Sequence, residues 1–358
     1  MARPLMGPEE AAAVARVLAS GWVMQGPEVE AFEADFARAV GAPHAAAVSS
    51  GTAALHLALL AVGVRPGDEV VTVSHSFIAT ANSVRLCGAT PVFVDIEAGT
   101  FNMDPARVEA AITPHTRAIL CVHQMGMPCD LAAIGAVATA RGVALVEDAA
   151  CAAGSEVRAG SDGAGSDGWQ AIGRPHSDAA CFSFHPRKLI TTGDGGMVTT
   201  RDAAVDERIR AWRSHGTRDG VYGLNYRMTD LQAAVGRVQL GRLPGLVVER
   251  RRLVEELRRR LPTVAFPVEP LWARSNWQSL CVRFSSANAA AAARARLEAA
   301  GVAARPGITN AHEEPAQRDG LRAPLPESER AHRECVLLPL PSGMTADELN
   351  RVVGAVEG

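Results

Sequence analysis

Residues 181–188 have the sequence Cys-Phe-Ser-Phe-His-Pro-Arg-Lys, and residues 192–196 have the sequence Thr-Gly-Asp-Gly-Gly. The apolar first half predicts a buried strand, which ends before Pro186 because proline cannot donate a hydrogen bond to a neighbouring strand. Lys188 therefore lies between a buried strand and a glycine-rich turn. An amine placed there is suited to form a Schiff base with a carbonyl, and the glycines allow the backbone to approach a bulky planar group closely.

The chain before this stretch alternates between strand and helix patterns. Near-continuous apolar runs are typical of strands in a sheet covered on both faces, and they occur here at residues 46–48, 70–73, 92–94, 117–122 and 143–146. Helical patterns lie between them or precede them, at residues 7–20, 29–40, 53–62, 79–84, 104–112 and 131–141. This alternation predicts an α/β fold with a mostly parallel sheet.

The pattern changes in the second half of the chain. After helices predicted at 203–212, 230–243 and 246–261, the order becomes strand, helix, strand, helix, at residues 280–284, 289–300, 336–338 and 346–356. We therefore predict a large domain at residues 1–245 and a small α+β domain at residues 246–358. The segment 159–168, rich in Gly, Ser and Asp, is predicted to be an exposed, flexible loop without a catalytic role.

The composition excludes several classes of protein. A net charge of −3 provides no basic field for nucleic acid, and glutamates interleave the arginine runs at 250–252 and 258–260, which favours a solvated helix face. Seven cysteines without a CxxC pair indicate reduced thiols in a cytoplasmic protein and no metal site. Because the sequence has no apolar run of about 18 residues and no apolar N-terminal signal, we expect neither membrane insertion nor secretion.

Ser50-Gly51-Thr52 lies where a strand is followed by a helix. The first N–H groups of a helix lack partners and the helix dipole is positive there, so this junction suits an anion such as a phosphate. Gly51 allows close approach and Thr52 adds a hydroxyl. The alternative is a plain helix N-cap.

Glu147-Asp148 ends an apolar strand. Catalytic groups in open α/β sheets lie at the carboxyl ends of strands, and a buried carboxylate requires a cationic partner such as a protonated ring nitrogen. The alternative is a helix cap or a surface acid. An anion site, a strand-end acid and a junction lysine together match the phosphate, ring nitrogen and aldehyde of pyridoxal 5'-phosphate.

Four motifs resemble the DegT-type sugar aminotransferases, which are pyridoxal phosphate enzymes of fold type I. They follow one another in the family's order: Ser-Gly-Thr-Ala-Ala-Leu at 50–55, Glu-Asp-Ala-Ala at 147–150, the 183–188 stretch with Gly-Asp-Gly-Gly at 193–196, and Asn-Tyr-Arg-Met at 225–228. The resemblance extends from about residue 21 to residue 239 and more weakly to the C-terminus. It implies a seven-stranded, mostly parallel sheet flanked by helices in a large cofactor-binding domain, plus a small C-terminal α+β domain.

The resemblance also implies roles for individual residues. Lys188 would form the Schiff base with the cofactor and carry protons, and Asp148 would pair with the pyridinium nitrogen. Gly51, Thr52 and Ser183 would hold the phosphate.

Further roles implied by the resemblance concern the ring, the partner subunit and the substrate. Phe77 would stack on the cofactor ring, unless it is a core aromatic. Asn225 would reach the phosphate of the neighbouring subunit's cofactor, with Arg227 near the shared pocket, which implies an obligate homodimer with two composite sites. Candidates for the substrate side are His185, His215 and Arg227, and either histidine could instead be structural. Trp22 is a further candidate, taken from the sequence and not from the resemblance, as an apolar wall for a ligand or as surface packing.

The chain departs from the family pattern at Cys151. Many members have glutamine three residues after the aspartate, close to the phenolic oxygen of the cofactor, so the tuning of that oxygen is open here. The 159–168 segment also looks longer than is usual.

The reaction implied by the resemblance is transamination. Glutamate or glutamine would give its amino group to a nucleotide-linked keto-sugar or to a keto-cyclitol, in glycan or specialised metabolite biosynthesis. One alternative is a sugar dehydratase of the same family, which would carry another residue, commonly histidine, in place of Lys188. Another is a catalytically silent regulatory homologue. A nicotinamide enzyme is disfavoured because no G-x-G-x-x-G follows the first strand.

Overall fold

The computed structural model describes residues 4–158, 168–320 and 322–358. Apart from Gly168, the loop predicted at 159–168 lies outside the described residues. The helices are α1 Pro8–Ser20, α2 Pro27–Val40, α3 Gly51–Ala61, α4 Ala79–Leu86, α5 Pro105–Ala111, α6 Leu131–Arg141, α7 Ala203–Trp212, α8 Asp230–Arg260, α9 Ala287–Ala299, α10 Pro326–Glu334 and α11 Ala346–Glu357. Among the described helices, none combines the length and apolar character needed to cross a lipid bilayer.

The strands of the described chain are mostly short. They are β1 His44–Val48, β2 Glu69–Val73, β3 Thr90–Val94, β4 Thr116–Val122, β5 Ala144–Asp148, β6 Glu156–Arg158, β7 Trp169–Ala171, β8 Ala179–Ser183, β9 Gly196–Thr200, β10 Thr217–Arg218, β11 Val221–Tyr222, β12 Ala273–Arg274, β13 Leu280–Arg283, β14 Arg305–Pro306 and β15 Cys335–Leu338.

The main sheet has seven strands in the order β1-β9-β8-β5-β4-β2-β3. The pairs β8–β5, β5–β4, β4–β2 and β2–β3 are parallel, and β9 is antiparallel to both of its neighbours. Six strands therefore point the same way, and their carboxyl ends share one edge of the sheet. This confirms the predicted α/β fold with a mostly parallel, seven-stranded sheet.

The sheet is buried on both faces, as its apolar strands predicted. In β1, Ala45 and Ala47 belong to one apolar cluster, together with Phe32 and Phe36 of α2. Ala46 and Val48 belong to the cluster on the opposite face, together with buried residues of α3 and α7. Because successive side chains of a strand point to opposite faces, helices cover both sides of the sheet and leave its edges for loops.

The structure corrects the prediction of two helices at 230–243 and 246–261. These residues form one helix of 31 residues, α8, with Pro244 inside it. An internal proline costs about 3 kcal/mol of helix stability, but Pro244 is exposed while Leu243, Leu246 and Val247 are buried on either side of it. Tertiary packing thus keeps the helix continuous. The domain boundary predicted at residue 245 falls within α8, and the division there stays a prediction.

The C-terminal part has the α+β pattern that the sequence predicted. A small antiparallel sheet has the order β13-β15-β14, and α9 and α11 pack with it around an apolar cluster that includes Leu253 and Leu257 of α8. The same long helix therefore contributes to the main domain at its start and to the C-terminal cluster at its end.

Candidate active site

The carboxyl edge of the parallel strands brings the predicted cofactor residues together. Gly51 follows β1, Phe77 follows β2, Asp148 ends β5, and Ser183 ends β8, five residues before Lys188. They come from four separate strands, so the sequence alone could not show their proximity. Parallel strands that end at one edge provide the physical reason for their convergence.

The predicted anion site lies where the start of α3 closely contacts the end of β8. Gly51 is the first residue of α3 and is buried, and a Cβ at this position would lie only 2.7 Å from Cβ of Ser183. Only glycine therefore allows Ser183 to approach the helix N-terminus. Ser50 also caps α3, because its hydroxyl accepts the amide proton of Ala53 at 3.1 Å. The junction is thus both an N-cap and a cup of N–H and hydroxyl groups, with half-buried Thr52 beside it.

Asp148 is buried at the end of β5 and is held by several hydrogen bonds. Its Oδ2 accepts a hydrogen bond of 2.7 Å from the hydroxyl of Thr80 in α4. Ser76 lies 2.8 Å from the same hydroxyl, and because the Thr80 proton is directed at Asp148, Ser76 is the donor of that pair. Oδ1 of Asp148 accepts the amide proton of Ala150 at 3.2 Å. The carboxylate is therefore oriented before any ligand binds.

Glu147 lies next to Asp148 but points to the opposite face of β5. It is fully buried, with Nε2 of His123 at 2.8 Å and the Ser177 hydroxyl at 2.6 Å. Nδ1 of His123 accepts the amide proton of Cys129 at 3.0 Å, so the ring carries its proton on Nε2, facing Glu147. The amide of His123 donates to the carbonyl oxygen of Asp148 at 3.1 Å, so this buried network supports the strand end that carries Asp148.

Lys188 is half-buried in the turn after β8. Its amide donates to the carbonyl oxygen of His185 at 2.8 Å, and its Nζ lies 3.1 Å from Sγ of Cys151. Cys151 follows Asp148 by three residues, so the lysine amine lies beside the loop that carries the carboxylate. Of the seven cysteines, Cys151 is the one that is not fully buried.

The segment that carries Asn225 and Arg227 is anchored to the anion site of its own chain. The carbonyl oxygen of Tyr226 accepts the amide proton of Ser49 at 2.8 Å, and the Tyr226 hydroxyl lies 3.3 Å from Nδ1 of His56 in α3. Asn225 itself is exposed and Arg227 is half-buried. The segment is therefore fixed at its centre, while the Asn225 side chain faces outward.

The remaining predicted residues lie at the surface. Phe77 is 70% exposed and Trp22 is 53% exposed. Nε1 of Trp22 donates to the carbonyl oxygen of Gln25 at 3.1 Å, in the turn between α1 and α2. His185 is exposed, with its Nδ1 accepting the amide proton of Arg187 at 3.2 Å. His215 is exposed with a positive φ of 64°. The structure brings Phe77 and His185 to the edge of the sheet that carries Lys188, whereas Trp22 and His215 lie on separate turns.

The residues at this edge fit pyridoxal phosphate. The Gly51–Ser183 contact leaves a cup of donors that suits a phosphate, Asp148 is a buried carboxylate that suits a protonated ring nitrogen, and Lys188 is an amine that suits an aldehyde. No cluster of metal-ligating side chains occurs among the residues that the structure describes.

The sequence motifs did not indicate two features of the site. Thr80, Asn276 and Gln278 support the site through hydrogen bonds that join distant parts of the chain, and no local pattern indicates such partners. A compositional signal, by contrast, was available in the sequence. Of the 36 basic Lys and Arg residues, 35 are arginines, and Lys188 is the only lysine. Arginine cannot lose its proton in proteins and cannot replace a nucleophilic amine.

Comparison with known proteins is consistent with this geometry. A family model described as the DegT/DnrJ/EryC1/StrS aminotransferase family matches residues 4–357. The structure is similar to the aminotransferase TlmJ from Streptoalloteichus hindustanus, with 36% identity, a TM-score of 0.91, and coverage of 99% of this chain and 96% of that chain. It is similar to DesV from S. venezuelae in complex with a ketimine intermediate, with 37% identity, a TM-score of 0.89, and coverage of 97% and 93%. It is also similar to DesI in the presence of its TDP-sugar product, with 32% identity, a TM-score of 0.89, and coverage of 99% and 90%.

Proposed function

The chain belongs to the DegT/DnrJ/EryC1/StrS aminotransferase family and is a pyridoxal phosphate-dependent aminotransferase, and we propose that it transfers an amino group from glutamate or glutamine to a nucleotide-linked keto-sugar or a keto-cyclitol. The donor and acceptor classes rest on the family and on the TDP-sugar product named for DesI. Buried Asp148 at the strand edge and the single lysine support transamination.

The geometry supports a role for each of these residues. Gly51, Thr52 and Ser183 hold the phosphate at the N-terminus of α3, and Asp148 keeps the ring nitrogen protonated. When bound, the cofactor supplies an electrophilic carbon for amines and an electron sink for the bond broken at the donor's α-carbon. Nζ of Lys188 would take the proton from that carbon and pass it to the former aldehyde carbon of the cofactor instead of returning it to the donor, which requires an amine that is free to move within the site.

A homodimer with shared sites is part of the proposal. By the resemblance to the family, Asn225 and Arg227 complete the site of the neighbouring subunit, and the exposed position of Asn225 supports this role. Exposed apolar side chains support a partner surface, since large apolar groups are usually covered when they cluster. They lie on the α1–α2 turn and on the β10–β11 hairpin: Trp22, Val23, Met24, Tyr222 and Leu224.

The substrate side and the location of the enzyme are also proposed. Phe77 lies exposed at the sheet edge and stacks on the cofactor ring, and His185 at the same edge contacts the acceptor. Trp22 and His215 lie on separate turns, and their contact with the acceptor is proposed from the sequence alone. A cytoplasmic location agrees with the cysteines, because all seven are unpaired thiols and reduced thiols persist in that compartment.

The single observation that carries this function is Lys188. It is the only lysine of the chain, and it lies in a half-buried position beside Cys151 and the loop of Asp148. A dehydratase of the family would replace this lysine, so its presence favours transamination.

The test uses the uniqueness of that lysine. Purified protein with pyridoxal phosphate should be yellow, and borohydride should leave the cofactor attached to the peptide that contains Lys188. Lys188→Arg keeps the positive charge and should lose both the attachment and turnover. A colourless wild-type protein without attached cofactor would contradict the function.

The acceptor is identified by a second experiment. The enzyme is loaded with the amino form of the cofactor and exposed to a panel of keto-sugar nucleotides and keto-cyclitols, and the return of the yellow colour reports transfer. If no keto-sugar or keto-cyclitol reacts but simple keto acids react rapidly, the enzyme is a transaminase that does not use sugar acceptors. That result would overturn the sugar assignment and leave the transaminase chemistry in place.

A further inference from the structure

Gln278 binds the backbone on both sides of Lys188. Its Oε1 accepts the amide proton of Leu189 at 2.8 Å, and its Nε2 donates to the carbonyl oxygen of Arg187 at 2.6 Å. Because one partner is a donor and the other an acceptor, only one orientation of the side-chain amide satisfies both. The glutamine is about 90 residues away in the chain and is itself buried, and both hydrogen bonds are partly buried.

Asn276 hydrogen-bonds the backbone of the loop after β5, which carries Cys151. Its Nδ2 donates to the carbonyl oxygens of Cys151 and Ala153, each at 2.8 Å. Its Oδ1 accepts the amide proton of Gln278 at 2.8 Å. Two side-chain amides, separated by one residue, therefore connect the loop after β5 to the turn after β8.

The segment that carries both amides is itself firmly held. Trp277 has a positive φ of 50° and is buried, a conformation that costs about 1–3 kcal/mol and persists only where the surroundings impose it. The amide of Asn276 donates to the Ser155 hydroxyl at 3.0 Å, and that hydroxyl donates to the carbonyl oxygen of Gly126 at 2.6 Å. A Cβ on Gly126 would collide with the Asn276 side chain. The surrounding contacts thus hold Trp277 in a strained backbone conformation, and this conformation places the side-chain amides of Asn276 and Gln278.

We propose that Asn276 and Gln278 form an amide clamp that positions Lys188 against Cys151, and that Gln278 is a positioning residue for the lysine. The proposal rests on the proposed function of Lys188. A lysine amine moves on four rotatable bonds, so its reach is defined only if its backbone is fixed. The clamp fixes that backbone on both sides and ties it to the loop of Asp148 and Cys151. The C-terminal part of the chain thereby controls the geometry of the reacting amine.

The test compares two buried glutamines. Gln278→Met removes both hydrogen bonds at nearly constant volume. Gln317→Met is the matched control, because Gln317 is also buried and hydrogen-bonds through its side chain to Asn82 and Arg85. We expect Gln278→Met to lower kcat by about 10- to 100-fold with little change in the KM for the amino donor, because misplacement of a reacting group by about 1 Å can cost this much. The control should lose stability but retain wild-type kcat.

A direct readout of the lysine is available because the chain contains only one. Protein made with ¹³C,¹⁵N-labelled lysine gives a single set of side-chain NMR signals, even without cofactor. Wild type and Gln317→Met should show one sharp set, and Gln278→Met should show a broadened or split set. If Gln278→Met does not fold, Gln278→Asn retains the amide but cannot span both partners, and it should give the same change.

The outcomes separate this proposal from the function on which it rests. A Gln278 variant with wild-type kcat and an unchanged lysine signal would overturn the clamp, even if borohydride still attaches the cofactor to Lys188 of the wild type. Failure of attachment in the wild type would instead overturn the function, and the lysine signal of the cofactor-free protein would still decide the clamp.

Discussion

The hydroxyl of Thr80 donates a hydrogen bond of 2.7 Å to Oδ2 of Asp148, across 68 residues of sequence. Thr80 lies in the first turn of α4, and Asp148 is the last residue of β5. The helix that follows one parallel strand therefore orients the carboxylate that ends another.

Removing the Thr80 hydroxyl without changing the shape of the side chain should lower the activity of the enzyme. Thr80→Val is nearly isosteric and removes the donor to Oδ2 of Asp148, whereas Thr80→Ser retains the hydroxyl and is the matched control. A hydrogen bond to a charged group contributes about 1.5–3 kcal/mol, so we expect kcat/KM to fall by about 10- to 100-fold in the valine variant only. Steady-state kinetics at saturating cofactor decide this, and equal losses in both variants would assign the effect to packing.

The close contact between Gly51 and Ser183 predicts a specific cofactor defect. Gly51→Ala places a methyl group 2.7 Å from Cβ of Ser183, and overpacking of this kind costs about 1–3 kcal/mol. We expect the affinity for pyridoxal phosphate, measured by titration of the cofactor-free protein, to fall about tenfold. Gly241→Ala on α8 is the control, since that position has open space, and it should leave the affinity unchanged. Ser183→Gly removes the contacting Cβ together with a proposed phosphate ligand, so the double variant should bind the cofactor no more weakly than Ser183→Gly alone. Additive losses from the two substitutions would argue against a direct clash.

The composite site can be tested with two defective subunits. Lys188→Ala and Asn225→Ala should each be nearly inactive when the cofactor concentration is too low for the Asn225 variant to retain pyridoxal phosphate. In a mixed dimer, one site carries both substitutions and the other carries neither, provided that Asn225 acts across the interface. Random reassortment should then restore about a quarter of the wild-type activity. If Asn225 acts within its own subunit, every site in the mixture is damaged and no activity returns.

The buried His75 predicts a pH dependence of stability. Burial lowers the pKa of His75 from 6.5 to about 4, although a hydrogen bond to Asn310 opposes part of the shift, and its Nε2 is buried without a hydrogen-bond partner among the described residues. The folded protein therefore holds this ring neutral. Between pH 6.5 and 4 the unfolded chain binds a proton on this histidine that the folded chain does not bind. The contribution of neutral His75 to the free energy of unfolding is therefore fully present above pH 6.5 and is lost as the pH falls toward 4.

Over this pH range, exclusion of the proton from buried His75 should lower the free energy of unfolding by on the order of 3 kcal/mol. Urea unfolding at several values of pH should show a steeper loss for wild type than for His75→Gln, which cannot take up the proton. Burial also lowers the pKa of His56 and His176, but their contributions cancel in the difference between the two proteins. Parallel pH profiles for wild type and variant would show that His75 does not carry the effect.

Local sequence patterns predicted most of the elements because burial and propensity act over a few residues. The strands before Asp148 and Lys188 were predicted from their apolar residues, and the structure places them side by side in the main sheet as β5 and β8. The break predicted after Leu243 was wrong, because the packing of α8 on both sides of Pro244 outweighs the local cost of proline.

The sequence by itself determined the fold class, the family and the single candidate for a reactive lysine, since these depend on residue types in a fixed order and on the absence of any second lysine. Only the tertiary structure decided which groups surround that lysine. The 3.1 Å contact with Cys151, the Thr80 donor to Asp148 and the amides of Asn276 and Gln278 all join segments that are far apart in the chain. Such partners depend on how strands and helices pack, and a single sequence carries no local mark of a hydrogen bond formed across that distance.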